Sequence, residues 1–113
     1  MTDSCLFCRI VRGEIPARIV REDEHTVAFR DIDPKAPTHV LVIPRVHVAS
    51  LDEARDPALV GQVMLAAAEV AASEGIAGGY RTVINTGAHG GQTVPHLHVH
   101  VIGGRQLSGH GTA

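Results

Sequence analysis

The segment at residues 96–102 constrains this chain most, because three histidines alternate there with Leu97, Val99 and Val101. A period of two is typical of a β-strand, in which successive side chains point to opposite faces. We therefore predict a strand that turns its aliphatic side chains to the core and its three imidazoles to the other side. An inert polar face is the less favoured interpretation, because each imidazole titrates near neutrality and can act as nucleophile, acid or metal ligand.

The longest helix is predicted over residues 57–74, with Asp56 as the N-cap, Pro57 at the first helical position and Gly75 as the stop. Its apolar residues recur every three or four positions, which gives one stripe for packing on a sheet. The strands follow one another too closely for repeated helical crossovers, so we predict an α+β fold with a mostly antiparallel, five-stranded sheet. The other predicted elements are a short helix over residues 5–12, strands over 17–22, 25–31, 39–43 and 80–86, and an irregular crossing over 32–38.

Length and charge limit the partners. A chain of 113 residues predicts a single domain, residues 1–113, with a flexible tail over about residues 107–113 and a small core that a dimer would help to cover. The net charge of -2 gives no broad positive field, so nucleic acid is not an expected partner. No apolar run has the length of a signal peptide or a membrane span, so we expect a cytoplasmic protein without a membrane partner.

A glycine-rich segment at residues 85–95 directly precedes the last strand. Such a loop can bring backbone N–H groups close to an anion. The glycines alone would favour an ordinary hairpin loop. Their attachment to the histidine-bearing strand favours a site for a phosphate-sized anion beside an imidazole nucleophile.

Cys5 and Cys8 have the spacing of a metal-ligand pair. The motif is weak by itself, because two thiols on a helix are often simply buried. A redox pair is less favoured, since thioredoxin-like cysteines lie on the strand-to-helix turn of a parallel βαβ unit, which this pattern lacks. A metal site would need two further ligands.

Residues 96–102 match in full the signature His-apolar-His-apolar-His-apolar-apolar, and the chain resembles the histidine triad family on this motif. It is also similar to the purine nucleoside phosphoramidase branch of that family along nearly its whole length. The matching segments are residues 14–18, 29–32, 36–39, 42–44, 90–92 and 103–106.

The resemblance implies a homodimer whose two sheets join into one, and a hydrolase that cleaves purine nucleoside 5′-phosphoramidates through a covalent nucleotidyl-histidine intermediate. His98 would be the nucleophile, and His100 and His39 would contact phosphate oxygens and orient or protonate the reacting groups. No catalytic metal is expected. The implied nucleotide-binding residues are Asp31 on the ribose hydroxyls, Asn85 and Thr93 on the phosphate, Gly91 and Gln92 in the same loop, and Phe7, Ile10, Ile15, Phe29 and Ile32 around the base.

The resemblance also implies a structural zinc ion, since several histidine triad relatives carry zinc at matching positions. His47 and His96 would complete a tetrahedral site with Cys5 and Cys8. The first histidine of the motif would then be structural rather than catalytic. The remaining histidines, His25, His89 and His110, are expected at the surface.

Three alternatives stay open. The chain could hydrolyse dinucleoside polyphosphates, or it could be a zinc-stabilised nucleotide-binding or interaction module whose activity is incidental. A metal-dependent enzyme with His96, His98 and His100 as ligands is less favoured, because alternate strand residues lie roughly 6.5–7 Å apart. Residues 107–113 lack the tryptophan-containing tail of well-known phosphoramidase relatives, which leaves the preferred leaving group open.

Overall fold

The computed structural model describes residues 4–109. Within these residues, five strands, two helices and a short 3-10 turn follow one another. They are α1 (Leu6–Val11), β1 (Ile19–Glu22), β2 (Thr26–Arg30), β3 (Thr38–Pro44), the 3-10 turn (Leu51–Glu53), α2 (Pro57–Ser73), β4 (Tyr80–Val83) and β5 (Val99–Gly103).

The sheet has the strand order β1-β2-β3-β5-β4, and every neighbouring pair is antiparallel. This confirms the predicted α+β class and the five-stranded antiparallel sheet. β3 lies at the centre and is buried over its whole length, as expected for a continuously apolar strand covered on both faces.

Helix α2 covers one face of the sheet. The Asp56 side chain accepts a hydrogen bond from the Ala58 N–H at 2.9 Å, and Pro57 begins the helix, as the sequence predicted. Small side chains let the helix approach the strands closely, so most of the main core forms here. This core contains Ala28, Val40, Val42, Val63, Ala66, Ala67, Val70, Ala71, Val99 and Val101.

Helix α1 covers part of the opposite face. The Cys5 thiol caps it by accepting a 3.4 Å hydrogen bond from the Cys8 N–H, and Gly13 ends the turn with a φ of 76° that favours glycine. Phe7, Cys8 and Ile10 are buried. With Cys5 they pack against Val27, Phe29, Leu41 and Ile43 of β2 and β3.

The last strand is shorter than predicted. β5 begins at Val99, so His96, Leu97 and His98 precede the sheet ladder. The reason is that the Leu97 N–H donates to the Val48 carbonyl at 2.6 Å, outside the sheet. The prediction that Leu97, Val99 and Val101 face the core is nevertheless confirmed, because all three are at most 2% exposed.

Other boundaries also differ from the prediction. β4 ends at Val83 rather than at residue 86, since the glycine-rich loop already begins to fold on itself there. β1 begins at Ile19, where its pairing with β2 becomes irregular, and α2 ends at Ser73, with Glu74 as the C-cap. β3 includes Pro44 as its last residue.

Residues 110–113, which include His110 and the end of the predicted tail, lie outside the described residues. Among the helices of the described part of the chain, none is long and apolar enough to cross a membrane.

Candidate active site

The register of β3 and β5 brings His39 and His100 together. His39 lies opposite Ile102, and His100 lies opposite Leu41, so the two imidazoles are diagonal neighbours on the α1 face of the sheet. The His39 Nε2 atom is 2.9 Å from His100 Nδ1, and the Asp31 carboxylate is 3.4 Å from the same His39 nitrogen.

Hydrogen bonds fix which ring nitrogens of this pair carry protons. The backbone N–H of Lys35 donates to His39 Nδ1 at 3.0 Å, so the proton of a neutral His39 sits on Nε2. His39 Nε2–H then donates to His100 Nδ1, and His100 keeps its own proton on Nε2. The hydrogen bonds therefore run in one direction, from the Lys35 N–H to His39 and from His39 to His100. They end at His100 Nε2–H, which is a donor.

His98 is held in the opposite tautomer. Its Nδ1 atom is 2.7 Å from the backbone carbonyl oxygen of His96, which can only accept. The proton therefore sits on Nδ1, and Nε2 carries a free lone pair. The ring is 6% exposed and meets the ring of Phe7 edge-on at 5.1 Å and that of His100 at 5.2 Å. An imidazole oriented in this way has the geometry of a nucleophile.

Burial keeps the paired imidazoles neutral. It lowers the pKa of His100 to about 4, and the neighbouring His98 and His39 act in the same direction. Burial also lowers the pKa of His39, against the opposing effect of Asp31. At neutral pH both rings are neutral in the free protein.

An apolar cavity of about 350 Å³ lies between α1 and the sheet, next to this group. Ile10, Ile15, Phe29, Asp31 and Ile32 are among the residues that line it. Ile32 is fully exposed. Phe7 does not line the cavity: it is 4% exposed and packs beneath the site against the ring of Phe29 at 5.4 Å.

The glycine-rich loop is braced by its own amides. Asn85 Nδ2 donates to the Gly90 carbonyl at 2.8 Å, and Gln92 Oε1 accepts from the Gly87 N–H at 3.0 Å. The Gln92 Nε2 atom donates to two further carbonyls, so this side chain holds the loop rather than pointing into the cavities. Asn85 lines a second cavity, of about 300 Å³, together with His39 and His100. Thr93 is exposed, and Gly91 has a φ of 83°.

Cys5, Cys8, His47 and His96 form a cluster whose ligand atoms all lie within 4.8 Å of one another. The sulfur-to-nitrogen distances are 3.3 Å from Cys8 to His47, 3.4 Å from Cys5 to His96 and 3.5 Å from Cys8 to His96. A tetrahedral zinc ion with bonds of about 2.3 Å to sulfur and 2.05 Å to nitrogen separates such atoms by about 3.6 Å. The four residues therefore fit a metal ion.

The chemistry of the donors agrees with that fit. His96 Nε2–H donates to the Pro44 carbonyl at 2.9 Å, which leaves Nδ1 bare toward the thiols, the arrangement typical of a metal-binding histidine. Burial lowers the pKa of His96 to about 4. Burial and the adjacent Cys5 raise the pKa of the Cys8 thiol to about 11. A dication in the cluster would offset the cost of a buried thiolate.

Comparison with known sequences identifies the family. The sequence model of the HIT domain, the histidine triad family, matches residues 12–107. The chain belongs to this family.

Two relatives and two solved structures illustrate the likeness of this histidine triad chain. An uncharacterized HIT-like protein of Synechococcus elongatus is 53% identical over 96% of both chains, and the purine nucleoside phosphoramidase of Escherichia coli is 44% identical over 95% of this chain and 92% of its own. A HIT family hydrolase from Legionella pneumophila has a TM-score of 0.90 at 46% identity, covering 93% and 96%. A zinc-bound histidine triad family protein from Mycobacterium smegmatis has a TM-score of 0.83 at 37% identity, covering 93% and 78%.

The histidines of the motif do not form one metal site. Within residues 4–109, the groups able to hold a metal are the cysteine-containing cluster and a second set of Asp31, His39 and His100. The ring of His96 turns to the cysteines, which separates it from His98 and His100. In the second set, His39 Nδ1 accepts a backbone N–H, so its Nε2 carries a proton rather than a lone pair.

Sequence reasoning missed part of the histidine triad site. Leu6, Pro16, Ala17, Arg18 and Arg30 also line the apolar cavity. Leu6 could have been found, because it lies four residues before Ile10 and so shares a helix face with it. The roles of the Lys35 N–H and the His96 carbonyl could not be predicted from the sequence, because nearly every residue has these backbone groups.

Proposed function

We propose that this protein hydrolyses purine nucleoside 5′-phosphoramidates, with His98 as the nucleophile. The observation that carries the proposal is the 2.7 Å hydrogen bond from His98 Nδ1–H to the His96 carbonyl, which leaves the Nε2 lone pair free beside His100. The phosphoramidase relative and the hydrolase structure support the same reaction class.

The cavities suggest how the substrate binds. The apolar cavity suits a purine base, and the Asp31 carboxylate at its edge suits the ribose hydroxyls. The phosphate would then lie in the second cavity, against Asn85, His39 and His100. The loop containing Gly91, Gln92 and Thr93 would supply further donors to the phosphoryl oxygens.

In the proposed reaction His98 Nε2 attacks phosphorus, a new P–N bond forms, and the bond to the leaving nitrogen breaks. The leaving nitrogen takes a proton and departs as an amine. On substrate binding the negative phosphate raises the pKa of the neighbouring imidazoles, against the effect of burial, so that His100 takes up a proton and donates it from Nε2–H to the leaving nitrogen. Water then attacks the nucleotidyl-histidine and gives a proton back to His100 Nε2, and the nucleoside monophosphate and neutral His98 are released. No step is assigned to a metal.

The test is hydrolysis of adenosine 5′-phosphoramidate by wild type, His98→Ala and the control His25→Ala, which replaces an exposed histidine of the β1–β2 turn. We expect AMP release and an adenylylated protein in the mass spectrum for wild type and the control, and neither for His98→Ala. Circular dichroism checks that each variant is folded. An inactive wild type, or a folded His98→Ala that keeps its rate, would refute the proposal.

We further propose that Cys5, Cys8, His47 and His96 hold a structural zinc ion. The mycobacterial relative is zinc-bound by its name, which supports this proposal. When bound, zinc would cross-link the first helical turn to the segment after β3 and to the residue that positions His98. These four residues belong to elements far apart in the sequence, so the ion would replace contacts that a small core cannot supply.

A homodimer is also proposed. A sheet continuing across two chains would have to pair at β1 or β4, because these two strands form its edges. Sedimentation equilibrium of the purified protein measures the oligomeric state directly, and a monomer at micromolar concentration would contradict this part of the proposal.

A further inference from the structure

A chain of adjoining cavities leads away from the proposed phosphate site. The cavity that contains His100 shares Lys35, Val83 and Ile102 with a neighbour of about 180 Å³. That neighbour in turn shares Arg81, Arg105 and Leu107 with a third cavity, of about 250 Å³. We call these two cavities the arginine cleft. The cleft lies beyond the second cavity, on the side away from the apolar one.

The guanidinium groups of Arg81 and Arg105 form hydrogen bonds but no ion pairs among residues 4–109. Arg81 donates to the backbone carbonyls of Ser108 and Gly109, and Arg105 donates to those of Lys35 and Gln106. No carboxylate among residues 4–109 lies within ion-pair distance of either guanidinium.

The other charges near the cleft do not cancel this excess. The Lys35 ammonium is paired with the Asp33 carboxylate at 2.6 Å. Asp31 faces His39 at the far end of the second cavity. Among residues 4–109, no acidic residue lines either cavity of the arginine cleft. The cleft therefore attracts anions.

The strand register relates the position of the arginine cleft to that of His100. Val83 pairs with His100, and Arg81 pairs with Ile102, one repeat of two residues further along both strands. Two residues advance a strand by roughly 7 Å. Val83 and Arg81 have the same parity, so their side chains share one face of the sheet. Arg81 therefore lies one strand repeat beyond the residue that pairs with His100, on the face of the sheet that carries the His100 ring.

We propose that the arginine cleft binds a negatively charged leaving group, so that the preferred substrate is a nucleoside monophosphate joined through nitrogen to an amine that carries a carboxylate or phosphate. The inference rests on the proposed function, because it assigns the half of the substrate that departs. Guanidinium groups suit both anions, since each can be bound through two parallel hydrogen bonds. The cleft is open to solvent, so we expect a preference of roughly tenfold from the two arginines together.

The test compares matched substrates. One is AMP linked through nitrogen to β-alanine, which leaves with a carboxylate, and the other is the corresponding amide, which is neutral. AMP linked through nitrogen to phosphoethanolamine, which leaves with a phosphate, is the phosphate arm. The variants are Arg81→Gln with Arg105→Gln, the charge-preserving pair Arg81→Lys with Arg105→Lys, and the control Arg55→Gln. Arg55 is exposed and donates only to backbone carbonyls, as the cleft arginines do.

For wild type and the Arg55 control we expect kcat/KM to favour the anionic substrate roughly tenfold, and higher salt to reduce that ratio. The double glutamine variant should bring the ratio near one and leave the neutral substrate unaffected, while the lysine variant keeps most of the preference. Arginine-dependent preference for the phosphoethanolamine substrate over the neutral one would support the cleft with phosphate as the anion.

Two results would overturn the inference in distinguishable ways. Equal kcat/KM values for the charged and neutral phosphoramidates in wild type reject the cleft and leave the proposed function intact. Failure to cleave any of the three substrates rejects the proposed function and the cleft with it.

Discussion

Replacing Gly90 by alanine should damage the site while leaving the fold in place. A Cβ atom at this position would overlap the Thr86 carbonyl oxygen and lie 3.1 Å from the Thr86 carbonyl carbon and backbone nitrogen. These neighbours are backbone atoms, which cannot rotate away as a side chain would. The loop must therefore shift, and with it the Gly90 carbonyl that accepts the 2.8 Å hydrogen bond from Asn85.

The size of the effect follows from the overlap. Carbon atoms pack best at about 3.5–4.0 Å, so relief of these contacts requires a displacement of about 0.5–1 Å. A misplacement of about 1 Å near reacting groups costs about 100-fold in rate, or about 2.7 kcal/mol of activation free energy. The loop is exposed, so the free energy of unfolding should change by about 1 kcal/mol or less.

The assay is kcat/KM for adenosine 5′-phosphoramidate, with urea unfolding as the measure of stability. The matched control is Gly78→Ala, because an added Cβ there meets no atom within 4 Å and the backbone needs no positive φ. We expect wild-type activity for the control and about 100-fold less for Gly90→Ala. A folded Gly90→Ala within threefold of wild type would show that Asn85 and its loop do not position the phosphate.

Three further predictions test other parts of the structure. Phe7→Ala should lower the free energy of unfolding by about 3–5 kcal/mol, because it removes a buried ring, and a loss below about 1 kcal/mol in urea unfolding would contradict the packing described here. Cys8→Ser should reduce the zinc content of the purified protein, measured by elemental analysis, from one equivalent toward none; unchanged content would remove Cys8 from the metal site. The pKa of His100 lies at about 4 in the folded protein and near 6.5 when unfolded, so the unfolded state binds more protons between these values and stability should fall as pH drops from 6.5 to 4. The melting temperature of His100→Gln should depend less steeply on pH in that window, and identical slopes for the two proteins would refute this contribution.

The alternating pattern predicted burial better than it predicted pairing. Leu97, Val99 and Val101 are buried as expected, since a period of two places them on one side. The same pattern cannot show where the ladder starts, because that depends on whether a partner strand reaches each N–H. At Leu97 the partner is Val48, which the sequence places nearly fifty residues away.

The site could be predicted only where a residue type carries its chemistry. Cys5 and Cys8 were recognisable by spacing, but their association with His47 and His96 was available only through family resemblance. Phe7 illustrates the limit: the family resemblance implies a place for it around the base, but it does not line the apolar cavity. The helix instead turns its ring inward, beneath His98.

The partner that fixes the tautomer of His98 is a main-chain carbonyl, and this has a consequence for how the protein can vary. No single side-chain replacement can delete that acceptor, since every amino acid at position 96 brings one. A replacement of His96 that keeps its activity would show that the path of the backbone is enough to set the tautomer of His98. Loss of activity would instead report the His96 side chain, which is buried and belongs to the proposed zinc site.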